Sequence, residues 1–456
     1  MAASLEIPTP SEELMRRYDV AGPRYTSYPT APEWKHDFGT EHYAERLDVA
    51  GTAGAHEPLS LYVHLPFCRS LCWYCGCNVV ISQDRSAADT YIDHLLQELA
   101  QVVDRLGHRR KLSQVHWGGG TPTFLTEAQL ERLWSGITRH LSPLPDAEVA
   151  IEVHPAVTST EQLSLLRQLG FNRVSMGLQD FDPKVQEVTN RHQPFEQTRD
   201  LLEHARELGF SGVNFDLIYG LPYQNPESWE HTLRRVLQLR PDRLAVYSFA
   251  FILDVLKHQK RMPAEALPDA RTKLGLFRSA WRAFAEAGYR PIGMDHFAVP
   301  EDELARAQER RVLGRNFQGY TVKAASDVVA LGATGISDVG GAYAQNVRAL
   351  PYYYERVREG RFATERGIQL TEDDRRRRAI ITQLMCNFWV DLGEDGTREF
   401  ALELERLKPL EDDGLVRREG SQLEVTPLGR LFVRNVAMVF DAYLRRAERP
   451  RFSRTV

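Results

Sequence analysis

Four of the five cysteines in this chain of 456 residues lie close together, in the segment HLPFCRSLCWYCGC. Cys68, Cys72 and Cys75 form the pattern C-x3-C-x2-C, and Cys77 follows directly after. A tight group in a long chain indicates metal or redox chemistry, because disulfide frameworks usually distribute cysteines through small secreted chains. The fifth cysteine, Cys386, lies far away in a helix-like stretch, where we expect it to be a buried apolar residue.

Four kinds of site compete for these thiols. A structural zinc site favours two separated pairs of Cys or His, and no clear second pair follows. A disulfide does not suit an intracellular chain, and a ferredoxin-type cluster takes four cysteinates, with the fourth usually distant. The pattern favours the remaining interpretation, a 4Fe–4S cluster held by Cys68, Cys72 and Cys75. Its open iron could bind the amino and carboxylate groups of S-adenosylmethionine, whose reduction would yield a 5′-deoxyadenosyl radical.

Six apolar, β-branched segments alternate with helix-like stretches and predict the elements that carry this site. They are SLYVHL (60–65), QVHWG (114–118), EVAIEV (148–153), RVSMG (173–177), VNFDLI (213–218) and RLAVYSF (243–249). The alternation predicts a parallel α/β sheet, either an open doubly wound sheet or an incomplete (β/α)6 barrel. Both arrangements place functional groups at the carboxyl ends of strands. The cysteines, the GGGT segment and Glu152 follow or close the first three strands.

The length predicts more than one domain. We expect an N-terminal extension over residues 1–55 that packs on the active site, a partial barrel over 56–365, and a helical domain over 366–456. The last segment contains GLVRREGSQLEVT, which is typical of the wing of a winged helix. Acidic neighbours at 411–413 disfavour DNA binding there, so a structural or substrate-covering domain is the expectation.

Composition restricts the class of protein. Lys plus Arg is 57 and Asp plus Glu is 62, so the formal charge is 57 − 62 = −5. This balance argues against a protein that coats nucleic acid. The chain shows no signal-peptide pattern and no apolar run of about 18 residues that could span a bilayer. We therefore expect a cytoplasmic protein with no nucleic-acid partner and no membrane span.

Several further motifs carry a resemblance to a known family. They are GPRYTSYPTA (22–31), LYVHLPFC, CWYCGCN, HWGGGTPT, FNRVSMGLQDF, DLIYGLP, GMDHFA (293–298), NFQGYT (316–321) and FSR (452–454). Over nearly its whole length the chain resembles the oxygen-independent coproporphyrinogen III oxidases of the radical S-adenosylmethionine superfamily. The CGC ending separates this group from similar haem-binding paralogues, which tend to lack the last cysteine.

The resemblance implies an incomplete barrel with a C-terminal helical domain, one 4Fe–4S cluster and two molecules of S-adenosylmethionine. It also implies an oxidoreductase of haem biosynthesis that acts on a tetrapyrrole. Two propionates of coproporphyrinogen III would become vinyl groups, giving protoporphyrinogen IX and two CO2 without dioxygen. The electron donor and acceptor are not identified by the sequence, and nothing in it demands more than a monomer.

Matching motifs imply the cofactor contacts. Tyr62, Tyr74, Gly119 and Glu152 would contact the first S-adenosylmethionine. Those implied for the second cofactor are Gly120, Thr121, Gln179, Arg191, Asp216, Ala250 and Ile336. Some have a structural alternative: GGG could be a plain tight turn, Glu152 could pair with an arginine, Arg191 could lie on the surface, and Tyr74 could be an ordinary packed aromatic. Asp216 interrupts an apolar strand, where an unpaired carboxylate would be costly, so a partner or ligand is expected.

Arg24 and Arg315 are candidate partners for the four carboxylates of the substrate, with a surface role as the alternative. His296 could handle a proton or a propionate, although a histidine satisfied within the core is the commoner case. Cys77 is a candidate on the substrate side of the cluster, with core packing as the alternative. The chain reads FAFIL (249–253) where the family usually reads YAH-x-P, and IEVHP, with His154, where it usually reads IEVDP.

Two rival functions use the same scaffold. A radical methyltransferase or cyclopropanase would use the second S-adenosylmethionine as a carbon donor and would give a methylated product rather than CO2. A haem-binding chaperone would bind haem stoichiometrically without turnover, and the CGC motif argues against it. A winged-helix regulator would need a basic recognition helix, which the C-terminal sequence does not offer.

Overall fold

The computed structural model describes residues 10–323, 325–446 and 452. The strands of these residues are β1 (Leu59–Leu65), β2 (Phe67–Cys68), β3 (Val80–Ile81), β4 (Lys111–Gly119), β5 (Ser142–Val153), β6 (Arg173–Gln179), β7 (Gly212–Tyr219), β8 (Arg243–Ser248), β9 (Arg290–Gly293), β10 (His296–Ala298), β11 (Gly314–Asn316), β12 (Gly319–Thr321), β13 (Val328–Leu331), β14 (Ile336–Val339), β15 (Ala342–Asn346), β16 (Thr364–Gln369), β17 (Trp389–Asp391), β18 (Val416–Glu419) and β19 (Gln422–Val425).

The helices of the described residues are α1 (Glu12–Tyr18), α2 (Thr40–Ala53), α3 (Ala87–Arg105), α4 (Glu127–Thr138), α5 (Thr160–Gln168), α6 (Pro183–Val188), α7 (Phe195–Glu207), α8 (Pro226–Leu239), α9 (Ala270–Glu286), α10 (Glu303–Glu309), α11 (Leu350–Arg358), α12 (Glu372–Asn387), α13 (Gly393–Glu399), α14 (Ala401–Asp412) and α15 (Val433–Met438). Within the described ranges, none of these helices is long and apolar enough to cross a membrane. Residues 453 and 454 of the terminal FSR motif lie outside the described residues.

The chain divides into two compact units that are each discontinuous in sequence. The smaller unit contains Met1–Trp34, Trp281–Ala324 and Leu370–Val456, and the larger one contains Lys35–Ala280 and Ala325–Gln369. The cysteine loop and the predicted cofactor contacts belong to the larger unit, whereas Arg24, His296 and Arg315 belong to the smaller one.

The larger unit is built on one sheet, with the strand order β16-β15-β14-β13-β1-β4-β5-β6-β7-β8. The strands from β13 to β8 in this order are parallel, and β14, β15 and β16 add antiparallel pairs. All six predicted strand segments are strands, namely β1 and β4 to β8. The predicted incomplete (β/α)6 barrel is therefore confirmed.

Sequence signals explain where the crossover helices lie. Helix α4 begins after Thr126, whose hydroxyl accepts from the Gln129 N–H while the Gln129 side chain accepts from the Thr126 N–H. Asn225 caps α8, with Pro226 in its first turn. The predicted apolar face of α3 is buried, with Leu95 and Leu99 fully inaccessible, and it covers one side of the sheet.

The smaller unit contains a short hairpin of β9 and β10, a second hairpin of β11 and β12, and the C-terminal elements. There, β17, β19 and β18 form a three-stranded antiparallel sheet beside α12, α14 and α15. Apolar side chains from Tyr18 and from the 380–440 region form one core. The predicted hairpin over GLVRREGSQLEVT is β18 and β19, as a winged-helix-like domain requires.

Candidate cluster and cofactor site

The cysteine loop leaves the carboxyl end of β1 and is closed at its base by a short parallel pair. Strand β2 pairs with β3, so the Val80 N–H donates to the Pro66 carbonyl at 2.7 Å. The Ser82 N–H donates to the Cys68 carbonyl at 3.0 Å. These bonds fix both ends of the loop, and the thiols of Cys72 and Cys75 lie between them.

Each of the three predicted cluster thiols has a polar neighbour. The Cys68 sulfur lies 3.4 Å from the Thr121 hydroxyl, and an Arg191 N–H donates to the Cys72 sulfur at 3.7 Å. A hydrogen bond from Cys77 lowers the pKa of Cys75 to about 7, and the same bond raises the pKa of Cys77. Burial raises the pKa of the Cys68 thiol to about 11. Three half-buried thiols on one loop thus form a sulfur donor set.

Residues 189–191 hold the cysteine loop from the side of β6. The Trp73 N–H donates to the Thr189 carbonyl at 2.9 Å, and the Asn190 amide donates to the Leu71 carbonyl at 2.8 Å. Sequence reasoning singled out Arg191 but missed its two predecessors. Their only signal was adjacency to Arg191, since backbone contacts of this kind leave no pattern in the sequence.

Glu152 lies on the inner face of the barrel, beside the cysteine loop. Its carboxylate accepts from the Nε2–H of His116 at 3.2 Å and from the Gly119 N–H at 3.0 Å. Burial opposes ionisation of Glu152, but these bonds and the charge of the histidine hold its pKa below the ordinary value. Its side chain remains 41% accessible, so the ionised carboxylate is available to an ammonium or hydroxyl group of a ligand.

Tyr62 completes this part of the inner face. Its ring stacks on His116, with the centroids 5.9 Å apart. Its hydroxyl donates to Nδ1 of His64 at 3.1 Å, and Nε2 of His64 donates to the Asn78 carbonyl at 3.2 Å. Burial lowers the pKa of His64, which keeps the ring neutral and able to accept from Tyr62. His64, missed as a positioning residue by sequence reasoning, therefore joins Tyr62 to the cysteine loop.

The GGGT segment lets the backbone of β4 approach both the loop and Glu152. A Cβ at Gly119, where φ is +114°, would lie 2.6 Å from the His64 ring. A Cβ at Gly120 would lie 2.7 Å from the Pro66 and Phe67 backbone. The Gly120 N–H donates to the Leu65 carbonyl at 2.9 Å. Only glycine fits these two positions, which is a stronger requirement than a plain turn makes.

Gln179 and Arg191 crowd the same glycine at the end of β6. A Cβ at Gly177 would lie 2.9 Å from both the Arg191 guanidinium and the Gln179 amide. Arg191, 9% exposed, donates to the Gly177 carbonyl, yet its Nε has no hydrogen-bond partner. The Gln179 Oε1 is likewise buried without a partner. Such groups are normally satisfied, so an adjacent polar ligand is the natural partner. The predicted surface alternative for Arg191 is wrong.

Asp216 lies one strand further, on β7, directly opposite Gly177 in the register. Its carboxylate accepts from Ser175 at 3.1 Å and from Asn214 at 3.0 Å. Ser175 and Asn214 thus supply two of the hydrogen bonds expected for this carboxylate. Both partners are half-buried on the inner face.

Two further predicted cofactor contacts lie beside the two outermost strands of the parallel run, β8 and β13. Ala250 is exposed just after β8, and Ile336 begins β14. Tyr74 packs with Trp73 and Phe251 against an apolar cluster that includes Phe249. Phe251, where the family usually has a histidine, thus acts here as packing beneath the cysteine loop.

His154 follows β5 and faces the charge of Arg191. Burial, followed by that charge, lowers the pKa of His154 to about 2, so the ring is neutral. Its Nδ1 accepts from the Ala156 N–H at 3.2 Å, which fixes the turn after Glu152. His154 therefore has a structural role in the turn, and its neutral ring does not alter the positive charge of Arg191.

These observations test whether a cluster and a cofactor fit. No three Cys, His, Asp or Glu side chains in the described ranges converge tightly enough for one metal ion. The thiolate chemistry of Cys68, Cys72 and Cys75 matches an iron–sulfur cluster. The unsatisfied atoms of Gln179 and Arg191 match a polar ligand beside it.

The predicted substrate residues form a separate charged group in the smaller unit. Arg24 and Asp295 form an ion pair, and His296 Nδ1 lies 2.8 Å from the other Asp295 oxygen. Arg315 donates to the Arg24 carbonyl at 2.6 Å, while its buried Nε has no hydrogen-bond partner. Burial opposes ionisation of Asp295, but Arg24 and His296 hold its pKa well below the ordinary value.

A further arginine strengthens this group. Arg434, 7% exposed, donates to the Pro23 carbonyl at 2.9 Å, next to Arg24. Burial, together with the charges of Arg24 and Arg315, lowers the pKa of Arg434 to about 10. Arg24 pairs with the Asp295 carboxylate, and Arg315 and Arg434 bond to the backbone of residues 23 and 24 beside it, so positive charge is in excess and suits an anion. Sequence reasoning missed Arg434 and Asp295, which are brought here from distant segments.

Comparisons with known proteins agree with this geometry. Residues 62–236 match the radical SAM superfamily and residues 370–432 match the HemN C-terminal domain. An oxygen-independent coproporphyrinogen III oxidase of Escherichia coli (strain K12) is 44% identical over 97% of this chain and 98% of its own length. The corresponding protein of Synechocystis sp. is 42% identical over 98% of each chain.

A solved structure extends the match to three dimensions. The E. coli coproporphyrinogen III oxidase HemN, described as a radical SAM enzyme, superposes with a TM-score of 0.90 at 43% identity. The match covers 96% of this chain and all of that one. The site residues and these relatives lead to the same conclusion: the chain belongs to the oxygen-independent coproporphyrinogen III oxidases of the radical SAM superfamily.

Proposed function

We propose that this chain converts two propionate side chains of coproporphyrinogen III to vinyl groups without dioxygen, giving protoporphyrinogen IX and two CO2. The observation that carries the proposal is the set of Cys68, Cys72 and Cys75 thiols on one loop, beside the ionised Glu152. The full-length similarity to enzymes named for this reaction supports the choice of substrate.

The three thiolates hold a 4Fe–4S cluster, and S-adenosylmethionine binds beside it. When bound, these groups supply a 5′-deoxyadenosyl radical that can remove a hydrogen atom from the β-carbon of a propionate, after which CO2 and one electron leave. Glu152 and the Gly119 backbone orient the polar end of the cofactor, while Tyr62 and Tyr74 contribute aromatic surface. Chain residues thus bind and orient, and the cofactors provide the reactive species.

A second S-adenosylmethionine binds at Gln179, Arg191 and Asp216, with backbone and packing contacts from Gly120, Thr121, Ala250 and Ile336. The unsatisfied Gln179 Oε1 and Arg191 Nε support this second molecule, since both need a polar partner. Opposite charges on Arg191 and Asp216 match the carboxylate and ammonium of its methionine part.

The charged group in the smaller unit binds substrate carboxylates. Arg315 and Arg24 offer guanidinium donors, which suit propionates in a bidentate geometry. His296, fixed by Asp295, is the candidate for holding a proton near a propionate. Cys77 is the other catalytic candidate, since its thiol already contacts a cluster ligand.

We also propose a monomer in the cytoplasm that receives electrons from an external donor and returns them to an external acceptor. A single chain supplies every proposed cluster and cofactor contact, which supports the monomer. Unpaired cysteines persist in a reducing compartment, which supports the location.

The test is anaerobic conversion. The purified protein is reconstituted with iron and sulfide, reduced, and given S-adenosylmethionine and coproporphyrinogen III, and the porphyrinogens are separated and quantified. Protoporphyrinogen IX should form only when every component is present. A methylated tetrapyrrole, or stoichiometric haem binding without turnover, would overturn the proposal.

A further inference from the structure

A short 3₁₀ turn, Lys257–Arg261, contacts the cysteine loop. Nε2 of His258 lies 2.8 Å from the Cys75 carbonyl, and because a carbonyl only accepts, the imidazole donates. Arg261 lies over the Trp73 ring at 4.4 Å from its centroid. The turn therefore touches two residues of the loop, one of them a cluster cysteine.

The same turn also fixes the chain around Ala250. Gln259, fully buried, donates to the Ala250 carbonyl at 3.0 Å and accepts from the Ile252 N–H at 2.6 Å. Both polar ends of this amide are thereby used on one loop. His258 and Gln259 are adjacent, so one turn connects the third cluster cysteine to the predicted contact with the second cofactor.

Apolar packing makes this connection stiff. Met262 and Phe249, from either end of the segment, are buried in one cluster against which Trp73, Tyr74 and Phe251 pack. The Cys75 carbonyl lies outside any helix or strand, and the His258 imidazole supplies it with a donor. Movement of Cys75 would therefore require loss of the His258 bond or disruption of this cluster.

We propose that His258 is a positioning residue that holds Cys75 in place for the cluster and, through Gln259, couples its position to the Ala250 loop. The inference rests on the proposed function for the cluster and the cofactor. Groups that orient metal ligands from outside the first coordination sphere typically change metal affinity about 10-fold when removed.

The test compares His258→Leu, which lacks a donor, with His258→Gln, whose amide reaches a similar distance and can donate. His231→Leu, at an exposed position on α8, is the matched control. Each protein is reconstituted anaerobically, and the rate of iron loss to a chelator and the EPR spectrum of the reduced cluster are measured with and without S-adenosylmethionine.

We expect His258→Leu to lose iron about 10-fold faster than the wild type and to show an altered response of its EPR spectrum to S-adenosylmethionine. His258→Gln should restore both within about twofold, as expected if the hydrogen bond matters, and His231→Leu should match the wild type. Equal iron-loss rates and spectra in the wild type and His258→Leu would overturn the proposal.

Two controls separate a failure of folding, and a failure of the proposed substrate, from a failure of this proposal. If His258→Leu fails to fold, as thermal unfolding of the apoprotein would show, His258→Asn replaces it, because its amide is one methylene too short to reach Cys75. The readouts also need no porphyrinogen. If the chain acted on another substrate, wild-type conversion of coproporphyrinogen III would fail while the effect of His258 on the cluster would persist.

Discussion

The cysteine loop of the larger unit and the arginine group of the smaller unit are assembled in different ways. Cys68, Cys72 and Cys75 lie on one short loop after β1. Arg24, by contrast, forms an ion pair with Asp295, which lies 271 residues further along the chain. The Arg24 carbonyl accepts a hydrogen bond from Arg315, which lies 291 residues further along. The three thiols are brought together by one short segment, although distant residues hold that segment in place, whereas the arginine group itself is assembled from distant segments of the smaller unit.

The largest expected effect concerns the local site. Cys72→Ala removes one of three proposed cluster ligands, so iron content after reconstitution and 5′-deoxyadenosine formation should both fall to background. Cys386→Ala is the control, because that thiol is buried in an apolar cluster of the smaller unit. A Cys72→Ala protein that retained a full cluster would show that the ligand set is wrong.

The next effect concerns the ionised carboxylate. Glu152→Gln keeps the shape but removes the charge, and we expect affinity for S-adenosylmethionine to fall about 10- to 100-fold, the range for a hydrogen bond to a charged group. Equilibrium binding to the reconstituted protein measures it. Glu131→Gln, on the exposed face of α4, should leave affinity unchanged. Equal affinities for Glu152→Gln and the wild type would remove Glu152 from the cofactor site.

A smaller effect is expected in the arginine group. Arg315→Met should raise the KM for coproporphyrinogen III about 10-fold, since one charge-assisted hydrogen bond is lost. Formation of 5′-deoxyadenosine without substrate should be unaffected. Arg310→Met, at an exposed position, is the control. A loss of substrate-free 5′-deoxyadenosine in Arg315→Met would contradict the separation of roles between the two sites.

The smallest effect is on stability and involves His154. The pKa of His154 in the folded state, about 2, lies below its ordinary value. At mildly acidic pH the unfolded chain therefore binds a proton at His154 that the native state does not bind. The contribution of His154 to the free energy of unfolding is present above about pH 6.5 and is lost as the pH falls below that value. The loss between pH 7.5 and 5.5 is about 1.4 kcal/mol. Apoprotein denaturation at both pH values should show this extra loss relative to His154→Gln. Identical pH dependence would mean that His154 binds its proton equally well in the native and unfolded states.

The same contrast explains what the sequence could predict. The six strands were predictable because each carries apolar or β-branched residues at its buried positions, and the cluster cysteines because their spacing is local. Thr189, Asn190 and His258 were not, because they act through backbone carbonyls that accept from any suitably placed donor. Asp295 and Arg434 were missed because only the tertiary fold brings them beside Arg24.

The sequence identified the two residues that depart from the family pattern, but it did not predict what they do in the structure. Phe251 packs with Trp73 and Tyr74, and His154 is a neutral turn residue. Neither removes a group from the cysteine loop or from Glu152.

The central claim is that radical formation in the larger unit serves decarboxylation of the tetrapyrrole. Its most direct test is to measure 5′-deoxyadenosine, CO2 and protoporphyrinogen IX in the same anaerobic reaction. The account predicts one 5′-deoxyadenosine for each CO2 and two CO2 for each protoporphyrinogen IX. Abundant 5′-deoxyadenosine with coproporphyrinogen III left unchanged would contradict it.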